Sequence, residues 1–552
     1  MRLPTDSRRA DALYWAAFAL IVVAAAAHRA FWTYTLQLPF TNPDSGSYFG
    51  TAAYTTALPA FSQYRSAGTP SLINIAALIF GGPVGILVQH NLFVMGAATM
   101  LALSIKQVLG QRMLSLCALF IALFSPKGLA FEYLLTSEHD ARTLFIAYAA
   151  LALWLAWRPS WWLAGLTGLV VALNMLVKLD AAPLIITTIV LLAVIWWRQP
   201  WSRRRIEVAA LVFIVAVVAP ILAYMTEFKA RNGVFAMSMF DGANQFSHVG
   251  HLTRLDGGRY PELKERLKPL LEPYAANYAA KGNYQPNWLI YGSVTPELKA
   301  EFGDRSPARE VKEFVARRDG KGTLQAENEV FRDLALEGMA AHPLAYAQLA
   351  LEMSVRLWRG GYAFDYYGIT PSAAALDQHR QARTLLRNFF FEHFGRLPAQ
   401  CGDPPPPRIF GFGLMLYRGP LTSCDPLPYD RPEMRPAIQA VDAAYAAVIA
   451  PLGAVHRYIP WLGLAAAVLV ALLSMFVCDR RALEVAGFGA LLILVVLGYT
   501  LFHGMVNVAE EQRMTANVQD LVVIAALAFG CSAACLMYTA VRKGSYHLTR
   551  TS

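Results

Sequence analysis

Charge is what this sequence has least of. Only 16% of its 552 residues are Asp, Glu, Lys or Arg, against about 25% in an ordinary soluble domain, while 56% are hydrophobic and the mean hydropathy is +0.37. So apolar a chain is neither a soluble enzyme nor a disordered segment. Six cysteines are too few for a small disulfide scaffold, and 38 glycines and 31 prolines do not fit collagen. Several signatures of soluble chemistry are missing as well. There is no GxxxxGK[ST] loop, no HExxH, no GxSxG elbow and no Rossmann glycine fingerprint followed by an acid. An ATP-driven pump is therefore disfavoured, and without CxxC spacing or a His/Cys cluster a structural zinc has no support. An integral membrane protein remains.

The formal charge is +10, but much of the excess lies in short clusters beside apolar runs. That is how a bilayer protein marks its cytoplasmic loops, so nucleic acid is not expected as a partner. Crossing the hydrocarbon core takes about 20 mainly apolar residues in a helix. Ten segments qualify: Ala12–Ala27, Val84–Ile105, Met113–Phe124, Thr143–Trp157, Leu163–Val177, Ala182–Trp197, Val208–Tyr224, Ile459–Val477, Val485–Leu501 and Leu521–Thr539. With the N-terminus inside, every cytoplasmic turn is basic: Arg2/Arg8/Arg9, Lys106/Arg112, Arg158, Arg198 with Arg203–Arg205, Arg480/Arg481 and Arg542/Lys543/Arg550. The first run also has the basic, alanine-rich character of a signal peptide, but removing it would upset this charge parity.

Four segments then face outward: Arg29–Pro83, Ser125–Arg142, the large Met225–Tyr458 region and Phe502–Asp520. The short apolar stretch Ser71–Phe80 is expected to lie at the interface or re-enter partway. Helical periodicity at Pro261–Tyr278, Pro307–Ala316, Gln325–Ala340, Pro343–Trp358 and Leu376–Phe394 makes the large region a mostly α-helical extracytoplasmic domain. The expected fold is thus an all-α polytopic membrane protein, divided at 1–225, 226–457 and 458–552. Cys401 and Cys424 share the outward domain, where an oxidising compartment permits a disulfide; the alternative is two buried free thiols.

The chemistry-bearing residues gather at the outer membrane face. Asp44, in Asn42-Pro43-Asp44-Ser45-Gly46, follows the first span, where partial desolvation suits a carboxylate to act as a general base; the same residues also make an ordinary helix cap or turn. Arg65, on a tight turn before an apolar helix, can receive a phosphate or snorkel to the interface. Glu132, Glu138 and Asp140 fall within nine positions of each other and can share acid/base work, support a divalent cation with Asp44, or cap the helix starting at Thr143. Lys178 and Asp180 end the fifth span, where an ionisable residue is costly and points to function, with snorkelling as the competitor. The last outward loop brings His503, Glu510, Glu511, Arg513 and Asn517 to the same face, Arg513 as a phosphate grip and His503 as a structural histidine.

These pieces, in this order, resemble the GT-C superfamily of membrane glycosyltransferases, in particular the bacterial lipid-carrier-dependent branch related to protein O-mannosyltransferases and aminoarabinose transferases. The resemblance rests on the acidic first loop at Asn42–Phe49, a variant of "R-T-P-G-Y-P" at Arg65–Pro70, Val88-Gln89, "L-T-E" as Leu135-Thr136-Ser137-Glu138, "L-T-R-P" as Leu176-Val177-Lys178-Leu179, and Glu511-Gln512-Arg513. The chain departs from the pattern in having "D-S-G-S-Y" where relatives often pair two acids, and Lys178 where an arginine followed by proline is common. The resemblance implies a polyprenyl-phosphate sugar donor, a periplasmic-side acceptor that is a glycan, lipid or protein, and inverting transfer. It places Asp44 and Glu138 as catalytic acids and Lys178 and Arg513 on the carrier phosphate. No cofactor is required, and a divalent cation is admissible.

The expected activity is therefore glycosyl transfer from a polyprenyl-phosphate sugar in the bacterial inner membrane, with cytoplasmic termini. Two rivals are an oligosaccharide polymerase or ligase, which would lean on outward arginines rather than a first-loop acid, and a non-catalytic flippase or transporter. A transporter typically shows broken spans in matching halves or charges at mid-bilayer, whereas here the ionisable residues collect at the outer ends of spans.

Overall fold

A backbone inside lipid must satisfy its own hydrogen bonds, and the apolar runs do so by forming helices. The computed structural model describes residues 4–36, 39, 47–48, 66–80, 83–198, 203–281, 286–292, 296–320, 322–360, 432–456, 458–477, 479–506 and 517–548. The N-terminal part comprises α1 (Pro4–Leu36), α2 (Gly68–Phe80), α3 (Pro83–Ser104, ending in a π turn Ile105–Leu109), α4 (Arg112–Phe124), α5 (Pro126–Glu132), α6 (Ser137–Trp157), α7 (Trp161–Val177), α8 (Pro183–Arg198) and α9 (Arg203–Asn232). A run of shorter helices follows: α10 (Asp241–Val249), α11 (Pro261–Lys281), α12 (Pro286–Tyr291), α13 (Pro296–Phe302), α14 (Pro307–Asp319), α15 (Leu324–Ala341) and α16 (Pro343–Gly360). The C-terminal part holds α17 (Arg435–His456), α18 (Ile459–Ser474), α19 (Arg480–Val506) and α20 (Gln519–Leu548).

All ten segments expected to span fall on helices. Among the described residues six helices, Arg8–Leu36, Val84–Leu109, Leu179–Arg198, Arg203–Asn232, Arg480–His503 and Gln519–Val541, are long and apolar enough to cross a membrane on their own. A seventh crossing exists if α4 and α5, bent by 44°, act as one. The bend has a local cause. Pro126 opens α5, and the Ser125 hydroxyl turns back to accept from the Gly128 amide at 3.2 Å. The described residues are thus those of an all-α membrane protein.

One expectation is corrected: Ser125–Arg142, expected as a short loop, is mostly helix, and Glu132, Glu138, His139, Asp140 and Arg142 are all buried. Its charges look solvent-directed in sequence because their partners lie on distant helices. With Glu138 and Asp140 in its first turn, α6 starts six residues before Thr143, acids there being favoured by the helix dipole.

The largest core runs through α3, α4, α6–α9, α19 and α20, with Ala98, Leu119, Phe145, Ala164, Phe213, Leu492 and Ile524 fully or nearly fully buried. Close helix approach supplies much of its cohesion, since lipid gives no hydrophobic drive between helices. At Gly168 an added Cβ would come within 2.7 Å of the Phe213 carbonyl oxygen, so α7 and α9 meet backbone to backbone. Apolar side chains such as Leu211 and Phe476 stay exposed on the helix surfaces, as contact with lipid requires.

A second core, around Phe246, Leu267, Trp288, Val311 and Leu334, belongs to α10–α16. It sits against the helical bundle through α16, where the Tyr346 hydroxyl donates to the Met505 carbonyl at 2.8 Å and that of Ser354 to the Thr500 carbonyl at 3.2 Å. At the opposite end of the bundle Arg112 pairs with Asp11 at 2.7 Å, joining the basic turns near the N-termini of α1 and α4.

Candidate functional site

Helix direction decides which charges meet. The C-terminal ends of α1, α7 and α19 and the N-terminal ends of α6 and α20 share one end of the bundle, the end that carries α10–α16. Arg29, in the last turns of α1, is 2% exposed and clasps Glu132 with Nε at 2.6 Å from Oε1 and Nη2 at 2.9 Å from Oε2. The same Nη2 donates to the Leu123 carbonyl at 2.8 Å, so this cation also satisfies an orphan carbonyl at the α4–α5 bend. Across the cluster Arg142 of α6 donates Nε to Asp520 Oδ2 at 2.8 Å and Nη2 to the Ala122 carbonyl at 2.6 Å.

Between them lies an imidazole pair. His90 and His139 stack with centroids 4.3 Å apart. His90 Nδ1 lies 2.8 Å from the Glu132 carbonyl, which can only accept, so Nδ1 carries the proton and Nε2 is left toward Asp140 Oδ1 at 3.8 Å. The other Asp140 oxygen accepts from the Thr69 hydroxyl at 2.8 Å. Thr69 stands in the first turn of α2, the short apolar helix expected at the interface. That helix is pinned at Gly68, where an added Cβ would come within 2.4 Å of the Val177 backbone nitrogen, and by the Ser66 hydroxyl, which donates to the Val177 carbonyl at 3.3 Å.

Lys178 follows α7 and leaves the helix in an extended conformation. Its ammonium lies 2.9 Å from Glu138 Oε1 and 3.8 Å from Asp180 Oδ2. Asp180 in turn accepts from His503 Nδ1 at 3.1 Å, and His503 stacks on Tyr499 at 5.8 Å. The side chain of Glu138 is fully buried, whereas that of Lys178 is 13% exposed. Among Arg29, Arg142 and Lys178, the lysine has the most exposed side chain, and two carboxylates flank its ammonium.

Sequence reasoning named Glu132, Glu138, Asp140 and Lys178, and the structure gathers these four at one end of the bundle. Glu132 is fully engaged by Arg29. Asp44, Arg65, Arg513, Cys401 and Cys424 lie outside the described residues, as does the expected helix Leu376–Phe394. Arg29, His90, His139, Arg142 and Asp520 were not singled out as site residues. A cation at the margin of an expected span is the signal that could have found Arg29 and Arg142. Among the described residues no group of three or more His, Cys, Asp or Glu side chains is arranged to hold a metal ion.

The fold and this cluster define an all-α integral membrane protein with a buried charged site at one membrane end. No protein-family model and no curated protein matches the chain. Among solved structures the chain is similar to the ArnT crystal structure from Cupriavidus metallidurans, described as bound to undecaprenyl phosphate. That match has 13% sequence identity and a TM-score of 0.34, and covers 84% of this chain and 81% of that one.

Proposed function

We propose that the chain is a glycosyltransferase that moves a sugar from a polyprenyl-phosphate donor to an acceptor hydroxyl at the outer membrane face. One observation carries this reading: Lys178, whose side chain is 13% exposed, stands at the end of a membrane helix with its ammonium braced by Glu138 and Asp180. A lipid-linked sugar phosphate must be met at that depth, by a cation able to take up the charge that its phosphate gains as the glycosidic bond breaks. The order of sequence pieces that resembles lipid-carrier-dependent transferases supports the same assignment.

In this scheme the acceptor oxygen attacks the anomeric carbon and the bond from that carbon to the phosphate oxygen breaks. Its electron pair stays on the phosphate, and the acceptor proton passes to a carboxylate. Attack opposite the leaving phosphate inverts the anomeric centre. Asp44 is the proposed base, Glu138 holds Lys178, and Arg65 and Arg513 join Lys178 on the phosphate. We place the protein in a bacterial inner membrane with both termini cytoplasmic, residues 226–457 periplasmic and a Cys401–Cys424 bridge in that domain.

The test is transfer by the purified full chain in nanodiscs from a radiolabelled polyprenyl-phosphate sugar. Asp44→Asn should abolish product while the protein still inserts and folds. Near-normal turnover of that variant removes Asp44 from the mechanism. Movement of the lipid-linked sugar across liposomes with no new glycosidic bond would replace the transferase with a flippase.

A further inference from the structure

Away from the membrane end, α11 and α14 form a cleft of about 520 Å3 lined by Tyr260, Glu262, Arg266, Phe314, Arg317 and Arg318. That volume falls in the usual range for small-molecule sites. Two aromatic rings make one wall: Tyr260 and Phe314 meet edge to face, centroids 5.6 Å apart. The Arg318 guanidinium lies 5.8 Å from the Tyr260 ring centre and 5.9 Å from that of Phe314. Arg266 is neutralised by Glu310 and Glu313, and Arg318 by Asp319. Arg317 gives its Nε to the Glu313 carbonyl at 3.3 Å and meets no carboxylate among the described residues. Its charge is open to an anion.

The backbone behind this wall is strained. Tyr260 has φ of +57°, among the described residues the only non-glycine with positive φ, two residues after Gly258, where Gly257 and Gly258 stand at +70° and +76°. A left-handed tyrosine persists only where its surroundings enforce it, and such residues gather at ligand-binding sites. The enforcement is visible. Lys264 donates to the Gly257 carbonyl at 2.7 Å, the Arg259 amide to Glu337 at 2.7 Å, and the Tyr260 hydroxyl to Asp333 at 2.7 Å. Cations at the end of α14 suit its helix dipole, but the dipole does not explain an aromatic residue where glycine would be unstrained.

We propose that this cleft binds an anionic saccharide, a sugar bearing a carboxylate or a phosphate, with a pyranose face against Tyr260 and Phe314 and the anionic group on Arg317. Resting on the transferase reading, this makes the cleft a docking subsite for the acceptor. Planar guanidinium groups match carboxylate and phosphate oxygens two at a time, and aromatic faces match the C–H side of a sugar ring.

The test is calorimetric titration of the full chain in nanodiscs with tetragalacturonate, a 6-phosphorylated maltotetraose, unmodified maltotetraose and tetraglutamate. At least one anionic sugar should bind about tenfold or more tighter than the neutral sugar, and the gain should vanish in Arg317→Ala. Tyr260→Gly should weaken binding about tenfold, because it removes one aromatic face from the cleft. A purely structural tyrosine would lower the melting temperature and leave binding alone. Failure of both anionic sugars to bind, equal binding of maltotetraose, or equal binding of tetraglutamate each overturns the proposal. Lys178→Ala should leave this affinity intact, so a chain that binds the anionic sugar but transfers nothing overturns the transferase reading and not the cleft.

Discussion

Arg142 and Asp520 stand 378 positions apart in sequence and form a buried ion pair, 2% and 3% exposed, that ties the start of α6 to the start of α20. A buried ion pair adds little relative to apolar residues of the same shape, yet breaking one side leaves an uncompensated charge. Arg142→Ala is therefore expected to destabilise the protein by about 3–5 kcal/mol. Arg142→Met combined with Asp520→Leu should recover most of that loss. Thermal unfolding in one detergent measures both, and a double variant as unstable as the single one would mean that charge compensation is not what this pair provides.

Lys178 offers a test that separates binding from chemistry. Removing its ammonium in Lys178→Ala should raise the donor KM by about tenfold or more, and Lys178→Arg should keep part of the affinity. Glu138→Gln leaves the ammonium without its nearest carboxylate, and kcat/KM should fall by about tenfold with a smaller effect on folding than Arg142→Ala. An unchanged donor KM in Lys178→Ala would reduce this lysine to snorkelling.

What the sequence made legible follows from the range of each interaction. Apolar runs announce helices because hydropathy is local, and Lys178 and Glu138 stand out because charge beside a span is costly. Partners are another matter. Arg29 finds Glu132 across 103 residues and His503 finds Asp180 across 323, and no spacing rule links such pairs in a single sequence. The burial of Glu132 and Glu138 has the same root: their partners Arg29 and Lys178 come from other helices. His90 left no trace, since one polar residue in an apolar helix has no period to betray its role.

In the helical domain, Lys264 is 1% exposed and pairs with Glu337 while holding the turn at Gly257. Burial pushes the Glu337 carboxyl up, but bonds from Lys264 and the Arg259 amide outweigh it and hold the group below its ordinary value. A depressed carboxylate contributes stability above its unfolded pKa and loses it as pH falls through the folded one. Stability should thus decline on acidification below about pH 4.5. Lys264→Met should cost about 2–4 kcal/mol at pH 7 and flatten this slope, as pH-resolved thermal unfolding would register; an unaltered slope would assign the acid sensitivity to other groups.

Asp442 behaves in the opposite sense. It lies half-buried on α17, beside Tyr445, whose hydroxyl donates to the Phe124 carbonyl at 3.0 Å and fastens this helix over the α4–α5 bend. Among the described residues Asp442 Oδ1 is buried without a hydrogen-bond partner, and burial pushes the carboxyl up to about 6. Because the folded pKa exceeds the unfolded one, the folded state is favoured while the group is protonated. Stability is highest below about pH 4, falls as pH rises toward about 6, and is level above that. Half-exposure screens the effect to about 1 kcal/mol. Asp442→Asn keeps the shape without the charge, so it should match wild type near pH 4 and exceed it at pH 7.5. A melting temperature below wild type at pH 7.5 would mean that the carboxylate has a stabilising partner and that its burial is not the dominant effect.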